Sequence, residues 1–109
     1  MTSAELEPVV VTAYFHPLPG SRDAVLGALR TAIPRVHDEP GCELYAIHDA
    51  PDGSIVMLEK WSSEADLDAH GSSEAVVELV AALEGLLSEP VSVTRLTPVV
   101  VGQPSRGAL

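Results

Sequence analysis

Two β-prone runs, Cys42 to Ala50 and Ser54 to Ser62, are separated only by Pro51-Asp52-Gly53. A glycine supplies the positive φ that a tight reversal needs, so the pair predicts an antiparallel hairpin. What flanks the hairpin narrows the choice further. On each side lies a helical pattern, and beyond each helix another β-prone run, giving the order β-α-β-β-α-β. That is the ferredoxin-like pattern, with both helices on one face of a four-stranded antiparallel sheet. The expected fold class is α+β.

The first run, Pro8 to Pro17, carries Val9, Val10, Val11, Tyr14 and Phe15 and ends at a Pro-Leu-Pro-Gly break. Ser21 is placed to cap the first helix, with Asp23 in its first turn. Val25, Leu29, Ile33 and Val36 then form one apolar face. Pro34 is expected to kink this helix or end its regular part, and Pro40-Gly41 to stop the chain's helical course. Ser63 and Asp66 resemble a capping box opening a short helix to His70. After Gly71-Ser72-Ser73 comes a longer helix, with Val76, Val80, Leu83 and Leu87 on one face and Val77, Leu79 and Leu86 widening it. Glu89-Pro90 ends that helix, and Val91 to Val101 forms the last strand. The domain expected is 1–101, with 102–109 as a tail.

In the third run, Ile55, Met57 and Trp61 alternate with Val56 and Leu58, so both faces of the strand are apolar. Helices cover only one face, and the other needs a cover of its own. A second copy of the sheet, packed face to face, supplies it, so a homodimer is expected. At 109 residues, 46% of them hydrophobic, the chain supports one core. Its formal charge of −10 repels nucleic acid and anionic membranes, and no apolar run is long enough to span a bilayer. Cys42 is the single cysteine, which fits a reducing cytoplasm and rules out an internal disulfide.

Glu59 shares a strand face with Ile55, Met57 and Trp61, where a carboxylate is costly unless it is paired or hydrogen-bonded. It is either a proton acceptor with a raised pKa or one half of an ion pair with Arg95 or Arg35. Trp61 offers a flat face for stacking an aromatic ligand, or simply fills the core. His70, three residues after Leu67, points inward, and an imidazole there is able to move a proton, or else caps the helix end. Tyr14, Tyr45, His16 and His48 lie on strands, where ordinary cross-strand packing accounts for the two histidines. His37 suits the dipole at the end of the first helix. Cys42 lacks a neighbouring base and reads as a packing residue. The four histidines are scattered, no second cysteine exists, and Pro19-Gly20 matches no nucleotide-binding loop. No metal, flavin or nicotinamide site is indicated.

Taken in order, Glu39-Pro40-Gly41-Cys42-Glu43-Leu44-Tyr45, Leu58-Glu59-Lys60-Trp61 and Asp68-Ala69-His70 resemble the antibiotic biosynthesis monooxygenase family of small dimeric α+β barrels. The resemblance runs from about Val9 to Val100. It implies a cofactor-independent monooxygenase acting on a small aromatic phenol or quinol, or a polyketide-like molecule, with O2 as co-substrate. Carried over position by position, it implies that Trp61, Tyr45 and Tyr14 hold the substrate while His70 and Glu59 handle its proton. The haem-degrading branch relies on an Asn, a Trp and a His, and this chain contains no Asn. Haem degradation is therefore not expected. Two other functions suit the same fold: an isomerase or polyketide cyclase using the same base without oxygen, and a non-catalytic ligand-binding module.

Overall fold

In the computed structural model, which describes residues 7–109, four strands and three helices follow the expected order. They are β1 (Val9–Phe15), α1 (Arg22–His37), β2 (Cys42–Asp49), β3 (Ile55–Trp61), α2 (Glu64–Gly71), α3 (Glu74–Leu83) and β4 (Ser92–Leu96). The sheet order is β2-β3-β1-β4, antiparallel throughout. Register sets which residues share a face. Val11 lies opposite Glu59 on one side and Arg95 on the other, and Tyr45 lies opposite Glu59. That row looks toward the helices, together with Val9, Ala13, Phe15, Ile55, Met57 and Trp61. Val25, Leu29, Ala32 and Val36 of α1 and Ala75, Leu79 and Leu83 of α3 join them in one buried core.

The hairpin forms as expected: Gly53 has φ +90° and donates to the Ala50 carbonyl at 3.0 Å. Asp52 accepts from the Ser54 amide and hydroxyl, which hold its carboxyl below the usual range. Ser63 and Ser73 cap α2 and α3 through their hydroxyls. The first of these is half a capping box, because the Asp66 carboxylate turns to the Ser62 hydroxyl instead. Ser21 precedes α1 but makes no side-chain cap.

Three sequence expectations are corrected, and of the two outcomes expected at Pro34 the early end does not occur. Helix α1 continues through Pro34 to His37. Pro34 and Arg30 are both exposed, so the Arg30 carbonyl that loses its partner is left to water, and buried Val36 anchors the last turn. Helix α3 stops at Leu83, because Gly85 with φ +78° reverses the chain. Leu86 and Leu87 instead run beside Pro17 and Leu18, with the Leu18 amide donating to the Leu86 carbonyl. The buried stripe of α3 is Ala75, Leu79 and Leu83, while Val77 and Val80 are exposed. The last strand ends at Leu96, opposite Val10 near the start of β1. Beyond it no described residue offers a strand to pair with, and Pro98 brings no N–H.

Candidate active site

Between the helix-covered sheet face and the α2 and α3 helices lies a cavity of about 260 Å³. Its apolar lining includes Val11, Ala13 and Phe15 from β1, and Val76, Leu79, Val80 and Leu83 from α3. Val91, Val93 and Arg95 close the β4 side. Four polar side chains reach it: Tyr45, Glu59, His70 and Arg95. Valines 76 and 80, expected on the core stripe of the helix, thus face the cavity.

Tyr45 reaches the cavity through a backbone irregularity. Cys42 pairs with Trp61 but Leu44 pairs with Lys60, so the strand carries a bulge at Glu43. The extra residue changes which side chains face the helices and brings Tyr45 beside Glu59. His70 arrives from α2, where buried Leu67 and His70 share one side of a short helix.

Four side chains then form a continuous contact chain. The Trp61 indole donates to Glu59 Oε1 at 2.9 Å. Glu59 Oε1 lies 3.9 Å from His70 Nε2. On the other side of the ring, His70 Nδ1 lies 2.8 Å from Glu39 Oε1. Aromatic edges and faces pack the imidazole: its centroid is 4.5 Å from that of Trp61 and 5.3 Å from that of Tyr45. Glu59, Trp61, His70 and Tyr45 are all buried.

Burial pushes the Glu59 carboxyl above its ordinary 4.5; the indole N–H and His70 offset part of that, and Glu39 adds to it. Burial, with Glu59 and Glu39 close by, also raises the Tyr45 phenol. Tyr45 therefore keeps its proton, and the Glu59 carboxyl gives up its proton less readily than a free one.

Glu59, His70 and Tyr45 thus come together on one cavity. Trp61 stands beside them, but it is fully buried behind His70 and Glu59 and contributes no surface to the cavity wall. Tyr14 lies on the opposite face of the sheet, 40% exposed. Within the chain neither arginine pairs with Glu59: Arg35 binds Glu78, and Arg95 binds Asp68 at 2.8 Å. His16 meets Glu89, His37 meets the Tyr45 carbonyl, and His48 meets the Val56 carbonyl, all away from the cavity. Cys42 is half-buried and desolvation raises its thiol, which makes it a poor nucleophile. Sequence reasoning missed Glu39 and named Arg95 only as an ion-pair partner for Glu59, not as a residue of the cavity wall. Glu39 was in view as the first residue of the Glu39-Pro40-Gly41-Cys42 turn, but a turn reading says nothing about where its carboxylate goes. Among the described residues no cluster of three or more His, Cys, Asp or Glu side chains is arranged to hold a metal ion.

Comparison with known proteins identifies the chain's relatives and its fold. Residues 8–82 match the family described as Antibiotic biosynthesis monooxygenase. The chain is 36% identical over 92 residues to the Mycobacterium tuberculosis protein named "Putative monooxygenase Rv0793", covering 84% of this chain and 91% of that one. Against "Putative monooxygenase YcnE" of Bacillus subtilis the identity is 29%, covering 80% and 94%. The solved structure of Rv0793 superposes with a TM-score of 0.83, at 34% identity, over 89% of this chain and all of that one. The structure of PA3566 from Pseudomonas aeruginosa, 24% identical with a TM-score of 0.79 over 88% and 98% of the two chains, shares the fold. By sequence pattern, relatives and fold, the chain belongs to the antibiotic biosynthesis monooxygenase family.

Proposed function

We propose that the protein is a cofactor-independent monooxygenase acting on a small, electron-rich phenol or quinol. The observation that carries this reading is the convergence of Tyr45, Glu59 and His70 on an otherwise apolar cavity. Apolar walls accept an aromatic ring. The imidazole takes the phenolic proton, and Tyr45 and Glu59 hydrogen-bond the oxygen functions. Deprotonation concentrates electron density on a ring-conjugated carbon, which passes electrons to O2 while the walls exclude water. Where that carbon bears two hydrogens, converting CH2 to C=O uses one O2 and releases one water, so no external reductant enters. The cavity, at about 260 Å³ just below the roughly 300–1,000 Å³ usual for ligand sites, suits one or two fused rings. Trp61 serves by holding Glu59 and backing His70 rather than by stacking on substrate, and Tyr14 has no part in the cavity.

The test is an oxygen electrode with chelator-treated protein and a panel of small phenols, followed by mass spectrometry under ¹⁸O2. Incorporation of one labelled oxygen is expected. An isomerised or cyclised product without oxygen uptake would make the protein a proton-transfer enzyme instead, and tight binding with no product would make it a binding module.

We also infer a homodimer, formed by the sheet face away from the helices. That face carries Val10, Leu44, Ala46, Val56 and Leu58, with Leu96 43% exposed on its edge strand. A cytoplasmic location is inferred from the lone free thiol of Cys42.

A further inference from the structure

Glu39 belongs to no wall of the cavity, yet its carboxylate is the nearest charged neighbour of the His70 Nδ1 atom, at 2.8 Å. It is only 16% exposed, and its second oxygen, Oε2, is buried with no hydrogen-bond partner. The turn that carries Glu39 is fixed at several points. The Glu39 amide donates to Val36 at the end of α1, and the Gly41 carbonyl accepts from the Ser62 amide at 2.9 Å. Gly41 has φ +80° and lies so close to Asp66 that a Cβ would collide with its carboxylate. Asp66 is one helical turn before His70 on α2. The turn therefore grips the helix at Asp66 and reaches the imidazole with Glu39.

A carboxylate oxygen accepts hydrogen bonds, so in this pairing the ring nitrogen facing Glu39 carries the hydrogen. In the neutral ring the lone pair is then on Nε2, the nitrogen facing Glu59 and the cavity. The 3.9 Å between Nε2 and Glu59 Oε1 is too long for a direct hydrogen bond. An oxygen atom placed beside both is within about 2.8 Å of each. The other groups around the ring are Tyr45 and Trp61, and Arg95 is occupied by Asp68.

We propose that Glu39 is a positioning residue that fixes His70 as its Nδ1–H tautomer, so that Nε2 accepts the proton of a substrate hydroxyl seated between His70 and Glu59. The proton moves from that hydroxyl oxygen to Nε2. The ring becomes an imidazolium whose Nδ1–H still points at Glu39, and no proton passes to Glu39. This rests on the phenol-oxygenating reading for its substrate, but the tautomer is a property of the free protein.

The test is long-range ¹H–¹⁵N NMR of the histidine rings in uniformly labelled protein, above the pH at which His70 loses its charge. The wild type is expected to show His70 as the Nδ1–H form. Glu39→Gln, whose amide is also able to donate, should shift a substantial share of the ring to Nε2–H, and Glu39→Leu should remove the preference. If Glu39→Leu does not fold, Glu39→Gln and the wild type carry the test. A wild-type ring in the Nε2–H form, or an unchanged tautomer ratio in the folded variants, overturns the proposal. Where phenol turnover is measured, Glu39→Gln should lower kcat about tenfold to a hundredfold, less than the roughly 10²–10⁴ a general base contributes in full, with KM little changed. Tautomer control by Glu39 without any oxygenation would uphold the proposal and defeat the oxygenase reading. Oxygenation with no tautomer effect would do the opposite.

Discussion

Replacing Trp61 by Phe separates two roles for the indole: a surface for substrate, or an internal support for Glu59. The structure favours support. Trp61 has no exposed surface, and its N–H donates to a carboxylate oxygen that is itself buried. Removing that donor leaves Glu59 without the bond, at a cost of about 1–3 kcal/mol. The smaller ring also leaves a void, adding about 1 kcal/mol. The total of about 2–4 kcal/mol corresponds to a fall in Tm of roughly 8–16 °C for a domain of this size. Without the indole, the factors that raise the Glu59 pKa meet less opposition. A carboxyl whose folded-state pKa lies above its unfolded value binds more protons when folded, across the window between the two. Stability therefore falls as pH rises from about 4.5 through that window. The variant should widen the window upward. The assay is thermal unfolding from acid to neutral pH for wild type, Trp61→Phe, Glu59→Leu and the double variant. A coupling of about 1 kcal/mol or more is expected between the two positions. An unchanged Tm with a tenfold loss of aromatic-ligand affinity would refute the reasoning and make Trp61 a stacking surface.

Glu59→Gln should keep the indole bond through its amide carbonyl and flatten the dependence of Tm on pH above 4.5, read by the same melts. Gly41→Ala places a Cβ at φ +80° and against Asp66, so a loss of about 1–3 kcal/mol is expected, with turnover falling further than stability alone accounts for because His70 moves with α2. Chemical unfolding and product analysis check the two effects. Leu96→Asp, on the sheet face away from the helices, should convert a dimer to a monomer in light scattering at micromolar concentration. A wild-type chain that is already monomeric would remove the basis for the dimer.

Most of the secondary structure was legible because it depends on local chemistry. Pro51-Asp52-Gly53 fixes a reversal by backbone preference, and the three-residue step from Leu67 to His70 fixes a shared helix side. Glu59 was singled out because a carboxylate among Ile55, Met57 and Trp61 has to be explained. What could not be read depends on partners distant in sequence. The helical valines 76 and 80 are as apolar as core residues, and periodicity does not distinguish a wall around a cavity from a packed interface. The bulge at Glu43, which turns Tyr45 toward Glu59, leaves no compositional mark. The bond from Trp61 to Glu59 joins residues two apart on one strand face, yet a sequence does not show whether the indole nitrogen or the ring faces the ligand. Glu39 and His70 are brought together only when the turn docks on α2.

The cavity is closed on one side by a strand whose five residues are all exposed and which is held to the sheet along β1 alone. The opposite wall is core. Val93 and Val80, at the open side, are therefore positions where side chains are free to change size without disturbing what keeps the protein folded. A lineage or a laboratory library altering these two residues has a route to a differently shaped cavity that leaves Glu59, His70, Tyr45 and the buried core in place. In this architecture the shape of the cavity is separable from the maintenance of the scaffold.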